Sequence, residues 1–178
     1  MATADASLAA RSSSRPASSA RGGAKRFHGR LKVDAQFCPV DVADVFDTVN
    51  WEVRSAAIKG ENGEVLFEQT NCEVPSFWSQ LATNVICSKY FYGEVGTDQR
   101  EYSVRQLIHR VVRTITDWGL QDGYFASAED GERFYRDLSW LCLHQHGAFN
   151  SPVWFNVGLY HQYGVTGAKC NWRWDAQT

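Results

Sequence analysis

The sequence predicts a mainly α chain of the α+β class, in which a β-hairpin is followed by three helices and a short strand. Three observations carry that expectation. Apolar residues alternate on both sides of Gly60-Glu61-Asn62-Gly63, an apolar helical period begins at Ser103 behind a capping pattern, and Ser151-Pro152 breaks a dense helical stretch just before Val153-Trp154-Phe155.

The hairpin comes first. Val49, Trp51 and Val53 alternate with polar residues before the Gly60 to Gly63 turn, and Val65 and Phe67 resume the alternation after it, giving a hairpin from about Asn50 to Gln69. Pro75 then suits a first helical position. Trp78, Leu81, Val85 and Lys89 follow with helical spacing until Gly93, so the first helix is expected to open at Pro75. Gly93 to Arg100 reads as a loop.

The second helix is the best defined. Ser103 and Gln106 have the spacing of a capping box, and Val104, Leu107, Ile108, Val111, Ile115 and Trp118 form one apolar face ending at Gly119. Arg105, His109, Arg110 and Arg113 fill much of the remainder, which reads as a solvated basic face or as one that meets phosphate or an acidic surface. After a loop from Gly119 to Ser127, Phe134, Leu138, Leu141, Cys142 and Gln145 define a third helix from about Ala128 to Gln145, with Glu129 and Asp130 in the first turn where they complement its dipole.

The third helix hands over at Ala148-Phe149-Asn150-Ser151-Pro152. Proline pushes the preceding residue toward extended backbone, so Val153 to Val157 is expected to be a short buried strand with Gly158 at its end. Ser151 would stand exposed at the strand's head. Its hydroxyl could meet a phosphate or carboxylate there; alternatively it makes an ordinary turn that caps the helix.

Composition bounds the function. The 178 residues are 44% hydrophobic and 13% aromatic, enough for a core, and the formal net charge is −2. That charge gives no reason to expect direct DNA binding or adhesion to an anionic membrane. No apolar run is long enough to span a bilayer and no secretory leader is evident, so a soluble cytoplasmic protein is expected. Residues 1–36 form a basic tail, of which Met1 to Arg26 is rich in Ala, Ser, Gly and Arg; it is expected to be disordered, although its composition also suits an organellar transit peptide. The folded domain is expected over 37–164, followed by a loop at 165–178.

Cys38, Cys72, Cys87, Cys142 and Cys170 lack a Cys-x-x-Cys pair, which fits reduced thiols; Cys87 and Cys142 lie in apolar helical patterns and read as core residues. Cys142-x-His144-x-His146 invites a zinc reading. On a helix, however, His144 lies about 200° from both of the others, and two ligands do not close a site, so no metal site is assigned.

Longer words point to a family. Trp51-Glu52-Val53-Arg54, Phe67-Glu68-Gln69, Trp78-Ser79-Gln80-Leu81-Ala82-Thr83-Asn84, Ser88-Lys89-Tyr90-Phe91, Ser103-Val104-Arg105-Gln106-Leu107-Ile108 and the stretch from Trp140 to Gly158 occur in one order. Together they resemble the N-terminal part of adenosylcobalamin-dependent (class II) ribonucleotide reductases, over roughly Phe37 to Trp174. The resemblance implies that the complete chain is a ribonucleoside-diphosphate reductase with a ten-stranded α/β barrel, to which this part would contribute little beyond the strand around Val153. It implies adenosylcobalamin as cofactor, a ribonucleotide substrate, a thioredoxin-type reductant and the remaining barrel of the same enzyme as partner. In that chemistry a cysteine thiyl radical abstracts the ribose 3′ hydrogen and two further cysteines supply electrons.

The family's radical and redox cysteines, catalytic glutamate and cobalamin-contacting portion belong to later sequence, so no catalytic residue is assigned and the isolated chain is expected to be inactive. Cys170 does not match the redox run. What carries over is Ser151, at the Ser or Thr position before proline that hydrogen-bonds the substrate phosphate. Asn150 and Asn156 receive no role. The competing expectations are a noncatalytic helical interaction module presenting Arg105, Arg110 and Arg113, and a small zinc-binding domain.

Overall fold

The computed structural model describes residues 31–166. The expectations for the basic N-terminal tail, for Cys170 and for most of the closing loop concern residues outside that range.

Two antiparallel strands, β1 (Trp51–Lys59) and β2 (Val65–Pro75), form the hairpin, with Trp51 opposite Pro75 and Ile58 opposite Phe67. Its turn closes through the Gly60 N–H donating to the Glu64 carbonyl at 2.8 Å, with Gly63 at φ +83° where a side chain would be strained. Between the pairs Arg54–Cys72 and Ala56–Gln69, Ser55 faces both Thr70 and Asn71. That bulge puts Asn71 at φ 58°, a conformation asparagine tolerates.

β2 runs to Pro75, so the helix expected to open there does not. Proline is accommodated because it terminates an outer strand, where no further ladder N–H is needed. The helix α1 (Gln80–Lys89) starts instead behind Ser79, whose hydroxyl accepts from the Ala82 N–H at 3.1 Å. A short 3-10 helix, Val45–Thr48, precedes the hairpin and presses Val45 and Phe46 into the core.

The capping box at Ser103 and Gln106 forms as its spacing predicts, and opens α2 (Val104–Gln121). This helix continues through Gly119, which lies against Phe125 so closely that a Cβ would come within 2.7 Å of the ring. Trp118 is 48% exposed and so does not belong to the core face. The next helix, α3 (Ala128–Leu143), is capped by Ser127, which accepts from the Asp130 N–H. It ends two residues before the expected Gln145, which adopts φ 60° after His144.

Buried Leu107, Ile108 and Val111 of α2 meet Cys72 and Val74 of the hairpin, Trp78 and Cys87 around α1, and Leu143 of α3 in one core. Asp137 of α3 anchors the leading segment by accepting backbone N–H groups from Gln36, Phe37 and Cys38, while Asp130 accepts from Val33.

The closing strand is corrected outright. Ser151–Asn156 is a short helix, α4, and Leu159–Tyr163 is a second, α5. Pro152 lies in the first turn of α4, where the missing N–H would have no helical partner and the fixed φ suits the helix. Val153, Trp154 and Phe155 were ambiguous because a short apolar run carries no period of its own. Trp154 points inward, Phe155 is 45% exposed, and Gly158 at φ +85° turns the chain between the two helices. The only sheet among the described residues is the hairpin, so the barrel expected for the complete protein is not formed by them.

Candidate functional site

Ser151 is the first residue of α4, half-buried, and its N-terminal neighbour Asn150 caps the helix with extended backbone but no side-chain bond. The Ser151 hydroxyl meets the Tyr90 hydroxyl at 3.1 Å. Tyr90 stands at the C-terminus of α1, and its ring lies 5.3 Å from Phe155 and 6.4 Å from Trp154 of α4. Asn156 turns back to donate to the Pro152 carbonyl at 2.8 Å, so it stabilises α4.

What fixes α4 is a buried ion pair between Arg110 and Glu101. Arg110 was expected on a solvated basic face; instead its side chain is wholly buried and pairs with Glu101, whose side chain is 1% exposed. Its Nε donates to Glu101 Oε1 at 2.8 Å, and Nη1 donates to the carbonyls of Trp154 at 3.2 Å and Val157 at 2.8 Å. Nη2 reaches the Tyr90 carbonyl at 3.3 Å and Glu101 Oε2 at 3.2 Å. Glu101 also accepts from the Tyr92 N–H and from the Tyr163 hydroxyl of α5. Burial and the adjoining Glu101 carboxylate raise the Tyr163 hydroxyl's pKa, so it remains a donor. One guanidinium thus ties together the residues on both sides of the Tyr90–Ser151 contact.

The other arginines of α2 are engaged too. Arg105 lies 4.1 Å from the Trp51 ring centre and pairs with Glu73, and Arg113 pairs with Asp117 and Glu132 over the Tyr135 ring. The basic partner surface imagined for Arg105, Arg110 and Arg113 is therefore not presented.

Clefts flank α4. One of about 260 Å³ is largely apolar and includes Trp78, Ile86, Tyr90, Cys142 and Trp154. A larger cleft of about 940 Å³ includes Tyr92, Glu94, Asp98, Phe155 and Asn156. Tyr90 received no role from the sequence alone, though it lies in one of the quoted words. Its pairing with Ser151 spans 61 residues, and no local period encodes such a contact.

A family model described as class II vitamin B12-dependent ribonucleotide reductase matches residues 52–145, more than half of the chain. The chain belongs to this family. A vitamin B12-dependent ribonucleotide reductase of Rhodopirellula baltica is 70% identical over 146 residues, which make up 82% of this chain and 14% of that protein. The proteins of the same name from Streptomyces coelicolor and Bradyrhizobium diazoefficiens are 50% and 30% identical over 64% and 67% of the chain, or 12% of each relative. The chain therefore spans about one seventh or less of the length of these class II reductases.

The candidate metal ligands among the described residues are scattered through the fold. No cluster of three or more His, Cys, Asp or Glu suited to a metal occurs among them. Their imidazoles are committed elsewhere: His109 to Tyr135, His161 to Asp117 and His144 to Thr48, while His144 and His146 both stack on Trp140. Cys142 is buried, and burial pushes its thiol up to about 11, which disfavours the thiolate a metal needs. Among the described residues no helix is long and apolar enough to cross a membrane.

Proposed function

We propose that this chain is the N-terminal portion of an adenosylcobalamin-dependent ribonucleotide reductase. In the complete enzyme, ribonucleoside diphosphates would be reduced to deoxyribonucleotides for DNA synthesis in the cytoplasm, with electrons from a thioredoxin-type protein. The 70% identity with a reductase of that name over 82% of the chain carries the reading. Adenosylcobalamin would supply the radical that starts the reaction, at a site built by the rest of the protein.

The contribution of this portion is binding. Ser151 would donate its hydroxyl proton to a phosphate oxygen of the substrate, a neutral donor to an anionic acceptor and so a strong hydrogen bond. Its place in the first turn of α4, with the Tyr90 hydroxyl as hydrogen-bond partner, supports that role. With the later cysteines absent from this stretch, the 178-residue chain alone would not turn over.

The test is expression of the complete gene that carries this region. Purified protein should form deoxyribonucleotides only when adenosylcobalamin and a dithiol reductant are both supplied, and the 178-residue chain should form none. A complete product inactive with both supplied, or a gene that continues into unrelated sequence, would overturn the reading.

A further inference from the structure

We infer that Tyr90 is a positioning residue for substrate phosphate, acting through Ser151; the inference rests on the phosphate role proposed for Ser151. The two hydroxyl oxygens are 3.1 Å apart, and either can donate to the other. An ionised phosphate removes that ambiguity because it is acceptor-only. Ser151 has one proton, so donating it to phosphate leaves its lone pairs to accept from Tyr90. The result is a directed chain, from the Tyr90 O–H to Ser151 Oγ and from the Ser151 O–H to phosphate oxygen, in which each bond polarises the next.

Tyr90 is placed to hold that direction. Its N–H closes α1 on the Ile86 carbonyl at 3.0 Å, and its own carbonyl accepts from the buried Arg110. Its ring is braced against Phe155 and Trp154, on the helix that presents Ser151. Arg110 also binds the Trp154 and Val157 carbonyls, so one guanidinium holds the elements that carry the tyrosine and the serine. Without the Tyr90 hydroxyl, the Ser151 proton is free to turn toward other acceptors. Recognition of the phosphate would then weaken while contacts to base and ribose remain.

The experiment uses the complete enzyme with Tyr90→Phe, Ser151→Ala and both changes, keeping the ring of residue 90 and its packing. Calorimetry without cofactor measures the affinity of a ribonucleoside diphosphate and of the corresponding unphosphorylated nucleoside. Tyr90→Phe should weaken the diphosphate roughly 2- to 10-fold, the range of one hydrogen bond, and leave the nucleoside unchanged. The double variant should bind no worse than Ser151→Ala. Additive losses, equal weakening of both ligands, or a Tyr90→Phe protein identical to wild type while Ser151→Ala binds weakly would overturn the positioning role alone. If Ser151→Ala leaves diphosphate binding intact, the phosphate reading fails and the inference falls with it.

Discussion

Arg110 and Glu101 form an ion pair with both side chains out of solvent, and every remaining hydrogen-bonding direction of the guanidinium is spent on the backbone around α4 or at Tyr90. Charges removed from water are tolerable when paired and fully hydrogen-bonded, and costly when one partner is lost. Arg110→Met should therefore lower the unfolding free energy of the 178-residue chain by about 3–5 kcal/mol. It would strand Glu101 and free three carbonyls at once. Arg133→Ala, by contrast, removes pairs in which Arg133 is 44% exposed, and should cost at most about 1 kcal/mol. Urea denaturation of both variants checks this, and comparable losses would show that the buried pair does not anchor the fold.

Gly158 supplies the second anchor. At φ +85° it carries the chain from α4 to α5, and a Cβ there would stand 2.4 Å from the Arg110 carbonyl oxygen. Gly63 has nearly the same φ, at +83°, with open space around it. Gly63→Ala should therefore show the conformational cost alone, about 1–2 kcal/mol. Gly158→Ala should exceed it, because the added carbon meets backbone that cannot rotate away. Equal shifts in the urea midpoints of the two variants would mean that the close approach relaxes without cost.

The elements with a continuous period or a defined cap were legible in the sequence. The hairpin follows from alternation around Gly60 to Gly63, and α2 from Ser103 and Gln106, both being patterns set within a few residues. Segments whose state depends on distant partners were not. Pro75 is compatible with a helix start and with a strand end, and only its pairing opposite Trp51 decides. Val153 to Phe155 is too short to distinguish strand from helix, so Pro152 was read as a breaker when it occupies a first helical turn. Arg110 lies three residues after Leu107 and four before Thr114, both buried, so the wide buried face of α2 was visible in principle. A charge inside that face is legible only once Glu101 is known to meet it. At the site, Ser151 was found by the family words, whereas Tyr90 required the fold.

The thiols offer a check on the core. Cys38, Cys72, Cys87 and Cys142 are all buried, and burial raises Cys38, Cys87 and Cys142, with Cys87 raised most strongly by its neighbour Cys72. Thiolates are the reactive form, so these positions should resist alkylation by iodoacetamide at pH 8 in folded protein and react promptly in urea. Cys72 is the discriminating case: the same pairing lowers its pKa, yet it has no exposed surface, so access rather than ionisation should keep it unreactive. Peptide mapping of the alkylated protein reads each position separately. Rapid native labelling of Cys72 would show that β2 opens away from α1.

His109 should give the fold a pH dependence. Burial, followed by the charge of Arg113, lowers its pKa below the usual imidazole value of 6.5, while its Nδ1 is hydrogen-bonded to the Tyr135 hydroxyl at 2.8 Å. His144 is lowered too, by burial and by His146. A histidine depressed in the folded state is held neutral there, so below pH about 6.5 the unfolded chain binds more protons than the folded one. Stability is then fully present above that pH and declines as the pH falls toward the folded-state values. Asp130 acts in a separate, more acidic window: its carboxyl is lowered by the Ser127 hydroxyl and the Val33 N–H, so its contribution is lost only below the usual carboxylate range. Urea midpoints should therefore fall between pH 7.5 and 5. His109→Gln, which keeps a polar group but cannot titrate, should reduce that slope without abolishing it, since His144 remains. An unchanged slope would assign the dependence to other groups.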